Sequence, residues 1–311
     1  MYDSVKFRLL QSDAVSVDFL AETACYLENV GEHRYNQDTV LTGNLNGLQI
    51  SLSRYQMKVK DGSLCKWYLG DNFQTMSRGD AKMALEKLSD TLHLPMTKAA
   101  VTRLDVAQNI IIRHPVKVYL NHLGNMKYGT RLLEPSGLYY KTTNGVACFY
   151  DKTREQKSNR EPIPELYQGR NVLRYEQRYT SRIAKQLNEP EVTGAMLYDE
   201  AFYMNIAKRW RETYFTIQKI NDVCLNFEAM KNKRALNSMG ILSLVEKAGG
   251  ELQMLDQINE QREMGVLDKK QAYDLRQAVK SACSLKDGLT VESEAIKELD
   301  KKVMEAIKFY R

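Results

Sequence analysis

The sequence predicts an α+β fold, in which an antiparallel sheet with flanking helices is followed by an all-helical C-terminal region. Alternating apolar and polar runs recur up to Thr180, and the hairpin dipeptides Asn46-Gly47 and Asp61-Gly62 separate three of them. After Thr180 the alternation stops and the chain becomes rich in Ala, Glu, Lys, Leu and Met. We therefore expect an α+β domain over residues 1–195 and a helical domain over residues 196–311.

The individual elements follow from local periodicity and from helix-capping residues such as Asp18 and Ser77. In chain order they are a strand at 5–10, a helix at 18–30, three strands between 39 and 69, a helix at 77–92, a strand at 99–112, a helix at 114–123, strands at 128–133, 137–141 and 145–150, a polar loop at 157–169, a strand at 171–179, and helical stretches at 193–220, 238–264, 269–285 and 291–310.

Composition narrows the class of protein. The 311 residues carry a net charge of +6, which permits a polyanionic partner without requiring one. The five cysteines are scattered without a CxxC pair, and the four histidines form no HxH or HExxH pattern. These spacings argue against a disulfide framework and a zinc site, so any bound metal should be Mg²⁺ or Mn²⁺ held by carboxylates. With no long apolar run and no secretory signal, we expect a cytoplasmic protein and no membrane partner.

Three apolar strands carry unusual polar residues. In VTRLDVAQN, Asp105 lies inside an apolar alternation, where a charge is rarely buried unless it is paired or bound to a metal. In LRYEQRY, Arg174, Glu176 and Arg178 fall on one strand face. In GVACFYDKTREQ, Tyr150 ends a strand and is followed at once by charged residues.

If the three strands are neighbours, these residues converge on one face. Asp105 and Glu176 would bind a divalent cation that polarises a phosphoryl oxygen. Arg103, Lys152 and Arg174 would offset transition-state charge while Tyr150 attacks and forms a phosphotyrosine ester.

Each feature also has a purely structural interpretation. Tyr150 is one of 18 tyrosines, and most such residues only pack. Asp105 would then simply pair with Arg103 or Arg178, and the row of Arg174, Glu176 and Arg178 would be a solvated face. The residues alone leave both interpretations open.

The same three segments resemble the replication initiators of filamentous phages, the gene II family, and related plasmid replication proteins. The resemblance rests on Thr102-Arg103-Leu104-Asp105, on Tyr150-Asp151-Lys152 and on residues 173–178, LRYEQR, in that order. It extends over roughly residues 1–215. It implies a nicking-and-rejoining enzyme of the HUH endonuclease type, in a group that lacks the His-hydrophobic-His motif.

The resemblance also implies roles for particular residues. Tyr150 would keep the 5′ end of one nicked DNA strand and leave a 3′ hydroxyl for rolling-circle synthesis. Asp105 and Glu176 would hold Mg²⁺ or Mn²⁺, with Glu155 as a third ligand and Gln108 or Asn109 assisting. Because the motif contains one tyrosine, the closing step would use a second subunit or an activated water. A relaxase or transposase, or a non-catalytic origin-binding protein, is the alternative.

We expect the substrate to be single-stranded or origin DNA, contacted mainly through its phosphates. A host helicase, a single-strand-binding protein and a second copy of the chain are the other expected partners. The predicted DNA contacts are the charged residues Lys58, Lys60, Lys66, Lys127, Arg131, Lys157, Arg160 and Arg178, with Trp67, Tyr68 and Phe73 available to stack on bases. Packing in the core or at an edge is the alternative for Trp67 and Tyr68.

Overall fold

A large antiparallel sheet organises the molecule. The computed structural model describes residues 1–35, 38–223, 231–285 and 290–308. Within these ranges the sheet has ten strands in the order β2-β3-β4-β5-β1-β6-β11-β10-β9-β8. The strands of the chain are β1 Tyr2–Leu10, β2 Glu28–Tyr35, β3 Asp38–Leu45, β4 Leu48–Ser53, β5 Gln56–Asp61, β6 Ala100–Ile112, β7 Leu123–Met126, β8 Thr130–Glu134, β9 Gly137–Lys141, β10 Gly145–Asp151, β11 Asn171–Tyr179, β12 Ile217–Lys219, β13 Asp222–Val223 and β14 Thr290–Val291.

Helices flank the sheet and then dominate the C-terminal region, which confirms the predicted fold class. They are α1 Leu64–Leu69, α2 Arg78–Leu92, α3 Val116–Asn121, α4 Lys152–Ser158, α5 Ile183–Leu187, α6 Glu200–Phe215, α7 Lys233–Ala248, α8 Glu251–Glu263, α9 Lys269–Cys283 and α10 Glu294–Ala306. The predicted helix at 291–310 is thus shorter at its start, and residues 309 and 310 lie outside the described residues. Two short strand pairs, β7 with β12 and β13 with β14, also bring strands into the C-terminal region.

Several local predictions were wrong. The run LQISLSRYQMKV forms two strands, β4 and β5, and residues 238–264 form two helices, α7 and α8, with Gly249 and Gly250 at positive φ between them. In the predicted helix at 193–220, α6 ends at Phe215 and Ile217–Lys219 forms strand β12.

The run SLCKWYL forms helix α1 rather than a strand, because the Ser63 side chain accepts a hydrogen bond from the Lys66 amide and Gly70 ends the helix at φ +89°. Residues 18–30 form no long helix. Asp18 instead caps a turn by accepting from the amides of Leu20 and Ala21, and the chain then enters the edge strand β2.

The helices α2 and α6 cover the apolar side of the sheet. Phe149 of β10 and Tyr175 of β11 stack with their ring centroids 4.3 Å apart. Tyr175 also packs on Trp210 of α6, and its hydroxyl donates to the Trp210 carbonyl at 2.9 Å. Leu299 of α10 belongs to the same core, whereas α7, α8 and α9 pack around a separate small cluster that includes Val245 and Ala272. The division at residues 195 and 196 stays a prediction, and α6 and α10 share the core of the sheet.

Candidate active site

The register of three central strands places the predicted residues on one side of the sheet. Tyr150 lies opposite Arg174, which lies opposite Asn109. The next row on this face, two residues away from Tyr150 and Arg174, pairs Cys148 with Glu176. Arg178 lies opposite Asp105 in the following row. Because directly opposed residues share a face, the three sequence motifs form one polar surface, which we call the polar face.

Tyr150 is half-buried at the end of β10. Its hydroxyl lies 3.3 Å from Oε2 of Glu176, to which it donates a hydrogen bond. Burial raises the pKa of the Tyr150 hydroxyl well above its ordinary value, and Arg174 offsets only part of this rise. The hydroxyl is therefore protonated at neutral pH and has to lose its proton to become a nucleophile. Glu176 is positioned to accept it.

A glycine lies on the other side of Tyr150. Gly137 of β9 is opposite Tyr150 in the register, and a Cβ atom built there would lie 2.5 Å from the Phe149 carbonyl oxygen and 2.8 Å from Cβ of Tyr150. These distances are too short for real contacts, so the close approach of the two strands requires glycine at this position.

Arg174 is almost completely buried and is held by three groups. One guanidinium nitrogen donates to Oδ2 of Asp3 at 2.6 Å, and the other donates to the Asn72 carbonyl and to Oδ1 of Asn109. Its Nε has no hydrogen-bond partner in the described part of the chain and lies 3.7 Å from Oε2 of Glu176. A buried donor that lacks a partner beside Tyr150 is suited to a phosphate oxygen.

Asp3 is a residue that the sequence interpretation missed. It is buried, accepts a hydrogen bond from Oγ of Ser63 at 2.6 Å, and pairs with Arg174. Burial opposes its ionisation, but Arg174 nevertheless holds the pKa of Asp3 below its ordinary value. Asp3 reaches the polar face because the register of β1 shifts between Tyr2 and Val5. The signal in the sequence that could have identified Asp3 is its position as a charged residue at the start of an apolar strand.

The two predicted metal ligands on the strands are both engaged by arginines. Asp105, only 2% exposed, accepts from Nε of Arg103 at 2.9 Å, and Glu176 accepts from Nε of Arg178 at 2.9 Å. Burial raises the pKa of Asp105 to about 6, Arg103 opposes this rise, and the nearby charge of Glu176 adds to it. The charge of Glu176 thus raises the cost of ionising Asp105, which a bound cation would relieve.

Lys152 and Glu155 form a separate pair at the start of α4. The Lys152 side chain is fully buried, its Nζ lies 2.7 Å from Oε2 of Glu155, and it sits 5.4 Å from the centre of the Phe73 ring. Burial, and then the charge of Arg174, lower the pKa of Lys152. Phe73 is itself buried and packs against Tyr167, so it offers no open face for stacking on a base.

Two of the predicted metal ligands, Asp105 and Glu176, lie on the same face of the adjacent strands β6 and β11. Among the described residues no group of three or more His, Cys, Asp or Glu side chains could hold a metal ion, so Glu155 does not join Asp105 and Glu176 in one cluster. Asp105 and Glu176 remain compatible with a hard cation that takes its other ligands from water or phosphate. Both would have to exchange an arginine contact for the ion.

The predicted DNA-binding residues are distributed over three parts of the surface. Lys58 and Lys60 of β5 lie on the same side of the sheet as Arg178. Lys66 pairs with Glu161 at 2.6 Å, near the exposed Lys157 and Arg160. Trp67 and Tyr68 pack against the core, and Nζ of Lys87 lies over both rings. Lys127 and Arg131 are near the far edge of the sheet, where Nε of Arg131 donates to the Leu123 carbonyl.

Sequence reasoning also missed two cations of β1. Lys6 is opposite Arg103 in the sheet, and Arg8 is opposite Lys58. They connect the basic residues of β5 with the arginines beside Asp105. Their alternation with Val5, Phe7 and Leu9 in the first strand was the signal that would have identified them.

A tyrosine hydroxyl can act as a nucleophile, and arginines beside it can stabilise charge on a transferring phosphoryl group. The chain belongs to the phage family described as the N-terminal part of the replication-associated gene II protein, whose model matches residues 1–213. Membership implies a rolling-circle replication initiator that binds DNA at an origin and has endonuclease activity. A search of curated proteins found no match.

In the ranges that the structure describes, no helix is long and apolar enough to cross a membrane.

Proposed function

We propose that the protein nicks one DNA strand through Tyr150, keeps the 5′ end as a phosphotyrosine ester and later rejoins the strand. The observation that carries this proposal is the hydrogen bond from the Tyr150 hydroxyl to Glu176, beside Nε of the buried Arg174, which has no hydrogen-bond partner among the described residues. A nucleophile, a proton acceptor and a phosphate-binding donor thus lie together on one rigid sheet.

The proposed step begins with transfer of the Tyr150 proton to Glu176. The phenolate oxygen attacks phosphorus, a bond from phosphorus to this oxygen forms, and the bond to the 3′ oxygen breaks. The 3′ oxygen takes up a proton and becomes the hydroxyl that primes synthesis. Arg174, held by Asp3 and Asn109, donates its Nε–H to a phosphate oxygen. The buried Lys152 adds positive charge near Arg174. Rejoining is the reverse attack by a 3′ hydroxyl on the phosphotyrosine.

Asp105 and Glu176 would hold a Mg²⁺ or Mn²⁺ ion, which would supply positive charge at the phosphoryl group. A carboxylate has about four lone-pair directions, so Glu176 can face a cation and still accept from Tyr150. In this proposal Glu155 acts as the partner of Lys152.

The proposed reaction also requires partners in the cytoplasm of a bacterial host. Synthesis from the 3′ hydroxyl displaces a strand, which calls for a host helicase and a single-strand-binding protein. Closure with one motif tyrosine calls for a second subunit or an activated water.

The test is a nicking assay on supercoiled plasmid that carries the cognate origin, with Mg²⁺ or Mn²⁺. The unmodified protein should relax the plasmid and remain covalently attached to DNA. Tyr150→Phe removes one hydroxyl and one hydrogen bond, so it should fold normally and form no adduct.

Tyr139→Phe is the matched control, because this hydroxyl contacts only Ser136 in the described structure and lies on the neighbouring strand. An adduct formed by Tyr150→Phe would show that another residue is the nucleophile. If the unmodified protein binds the origin without nicking it, the non-catalytic alternative replaces the proposal.

A further inference from the structure

A polar pocket opens on the same side of the sheet as Tyr150. It is a cavity of about 530 Å³, within the usual range for ligand sites of about 300–1,000 Å³. Its lining includes Lys6, Thr42, Asn44, Gln49, Lys60 and Asp61. Lys6 links the pocket to the active site, because it is opposite Arg103, which in turn binds Asp105.

We propose that this pocket binds one unstacked base of the DNA strand whose phosphate is held at Tyr150, and that it contributes sequence specificity. The inference rests on the proposed function, because it assumes that the strand continues from Tyr150 across the polar face. The pocket is distinct from the residues that would carry the reaction.

The chemistry of the lining suits a nucleotide. Lys6 and Lys60 provide positive charge for phosphates, while the other side chains provide amide, hydroxyl and carboxylate groups that match base edges. Lys6 is 3.5 Å from Oδ1 of Asp61, which is 71% exposed. Asn44 accepts from the Gly47 amide through Oδ1, which turns its amide nitrogen away from that turn. The lining residues of this described pocket include no aromatic ring, so hydrogen bonding rather than stacking would read the base.

The distance is compatible with a short stretch of single strand. Four steps between neighbouring strands separate β10, which carries Tyr150, from β5, which carries Lys60. At about 4.8 Å per step this is about 19 Å across the strands, and the six residues of β6 from Asn109, in the row of Tyr150, to Arg103, in the row of Lys6, add about 20 Å along them, so the two sites are about 28 Å apart. About eight nucleotides cover that distance at the stacked spacing of about 3.4 Å, and fewer do so in an extended strand. Arg178, Arg103 and Lys6 lie along the way.

In-vitro selection tests the pocket without knowledge of the origin. Full-length protein carrying Tyr150→Phe, which traps no strand covalently, is used to select from a random single-stranded DNA library, followed by affinity measurements on the selected oligonucleotides. The same selection is repeated with Gln49→Ala and with Lys60→Ala added. Lys82→Ala is the matched control, because Lys82 is an exposed lysine on α2.

We expect Gln49→Ala to lose preference at one or two adjacent positions of the selected sequence, with discrimination there falling about tenfold or more. Lys60→Ala should weaken binding of all selected sequences and lower the slope of log affinity against log salt by about one. Lys82→Ala should select the same sequence with the same affinity.

Two results would overturn the pocket proposal: unchanged sequence preference and affinity in both pocket variants, or selection of no single-stranded DNA at all. The fate of the nickase proposal is separate, because it is read from the covalent adduct with Tyr150 intact. A pocket-dependent preference without any adduct would sink only the nickase, and an adduct with no effect of the pocket variants would sink only the pocket.

Discussion

The two faces of strands β10 and β11 are built from alternate residues of the same short segments, yet they differ in almost every physical respect. Phe149 and Tyr175 face α6 and stack in the core, while their neighbours Tyr150 and Arg174 face the polar side. The apolar face is held by ring packing and the polar face by ion pairs, among which the buried Nε of Arg174 has no hydrogen-bond partner in the described residues. The comparison indicates that one face maintains the fold and the other can be committed to chemistry.

The largest expected effect is on catalysis. Glu176→Gln keeps the shape of the side chain but removes the proposed proton acceptor, so the nicking rate should fall about 10²- to 10⁴-fold. Tyr175→Phe, the adjacent change on the other face, should leave the rate unchanged and cost about 1 kcal/mol of unfolding free energy through loss of its bond to Trp210. Plasmid nicking and urea unfolding of both variants measure this contrast. A near-normal rate for Glu176→Gln would remove Glu176 from the mechanism.

The next effect concerns the apolar face. Trp210→Ala removes a fully buried ring of α6 that packs against Tyr175, and should lower the free energy of unfolding by about 3–5 kcal/mol. Nicking per folded molecule should be retained, because Trp210 does not reach the polar face. Urea denaturation, with nicking assayed at a temperature where the variant is folded, checks both statements. Loss of nicking in a fully folded variant would mean that the faces are coupled.

The smallest expected effect is a pH dependence of stability. The pKa of Asp105 rises from 3.8 when unfolded to about 6 when folded, so the folded state binds this proton more tightly. The unfolding free energy therefore falls as pH rises from about 4 to about 6, by on the order of 2–3 kcal/mol. The unfolding free energy of Asp105→Asn is measured against pH in EDTA and subtracted from that of the unmodified protein. The difference isolates the contribution of Asp105. A flat difference between the two proteins would contradict the described environment of Asp105.

The central strands could be predicted well because their alternation is local. Arg103 and Asp105 alternate with Leu104 and Val106, and the charges at 174, 176 and 178 alternate with residues 175, 177 and 179, which is enough to define the side on which the charges lie. If the three strands were neighbours, Asp105, Glu176 and Tyr150 would converge on one face, and the register places these residues on one side of the sheet.

What could not be predicted depends on contacts between distant residues or on competing local signals. Nothing near Asp3 indicates that its partner is Arg174. The run after Asp61-Gly62 has strand-like composition, but the Ser63 cap and Gly70 stop favour a short helix. No local pattern separates Glu155 from the other carboxylates, and the fold does so by starting α4 directly after Tyr150, with Asp151 as its N-cap.

The ion pair between Asp3 and Arg174 joins residues 171 positions apart. During synthesis by a ribosome, Arg174 emerges long after the first strand, and until both are in place the guanidinium lacks the Asp3 carboxylate that accepts its hydrogen bond. Partners this distant meet late and slowly, since closing a long loop costs entropy. A partly made chain would therefore carry Tyr150 without Asp3 holding Arg174 beside it. The buried Arg174 is thus fully oriented beside Tyr150 only when the central sheet is complete, and under the proposed function a partly made chain would not yet nick DNA.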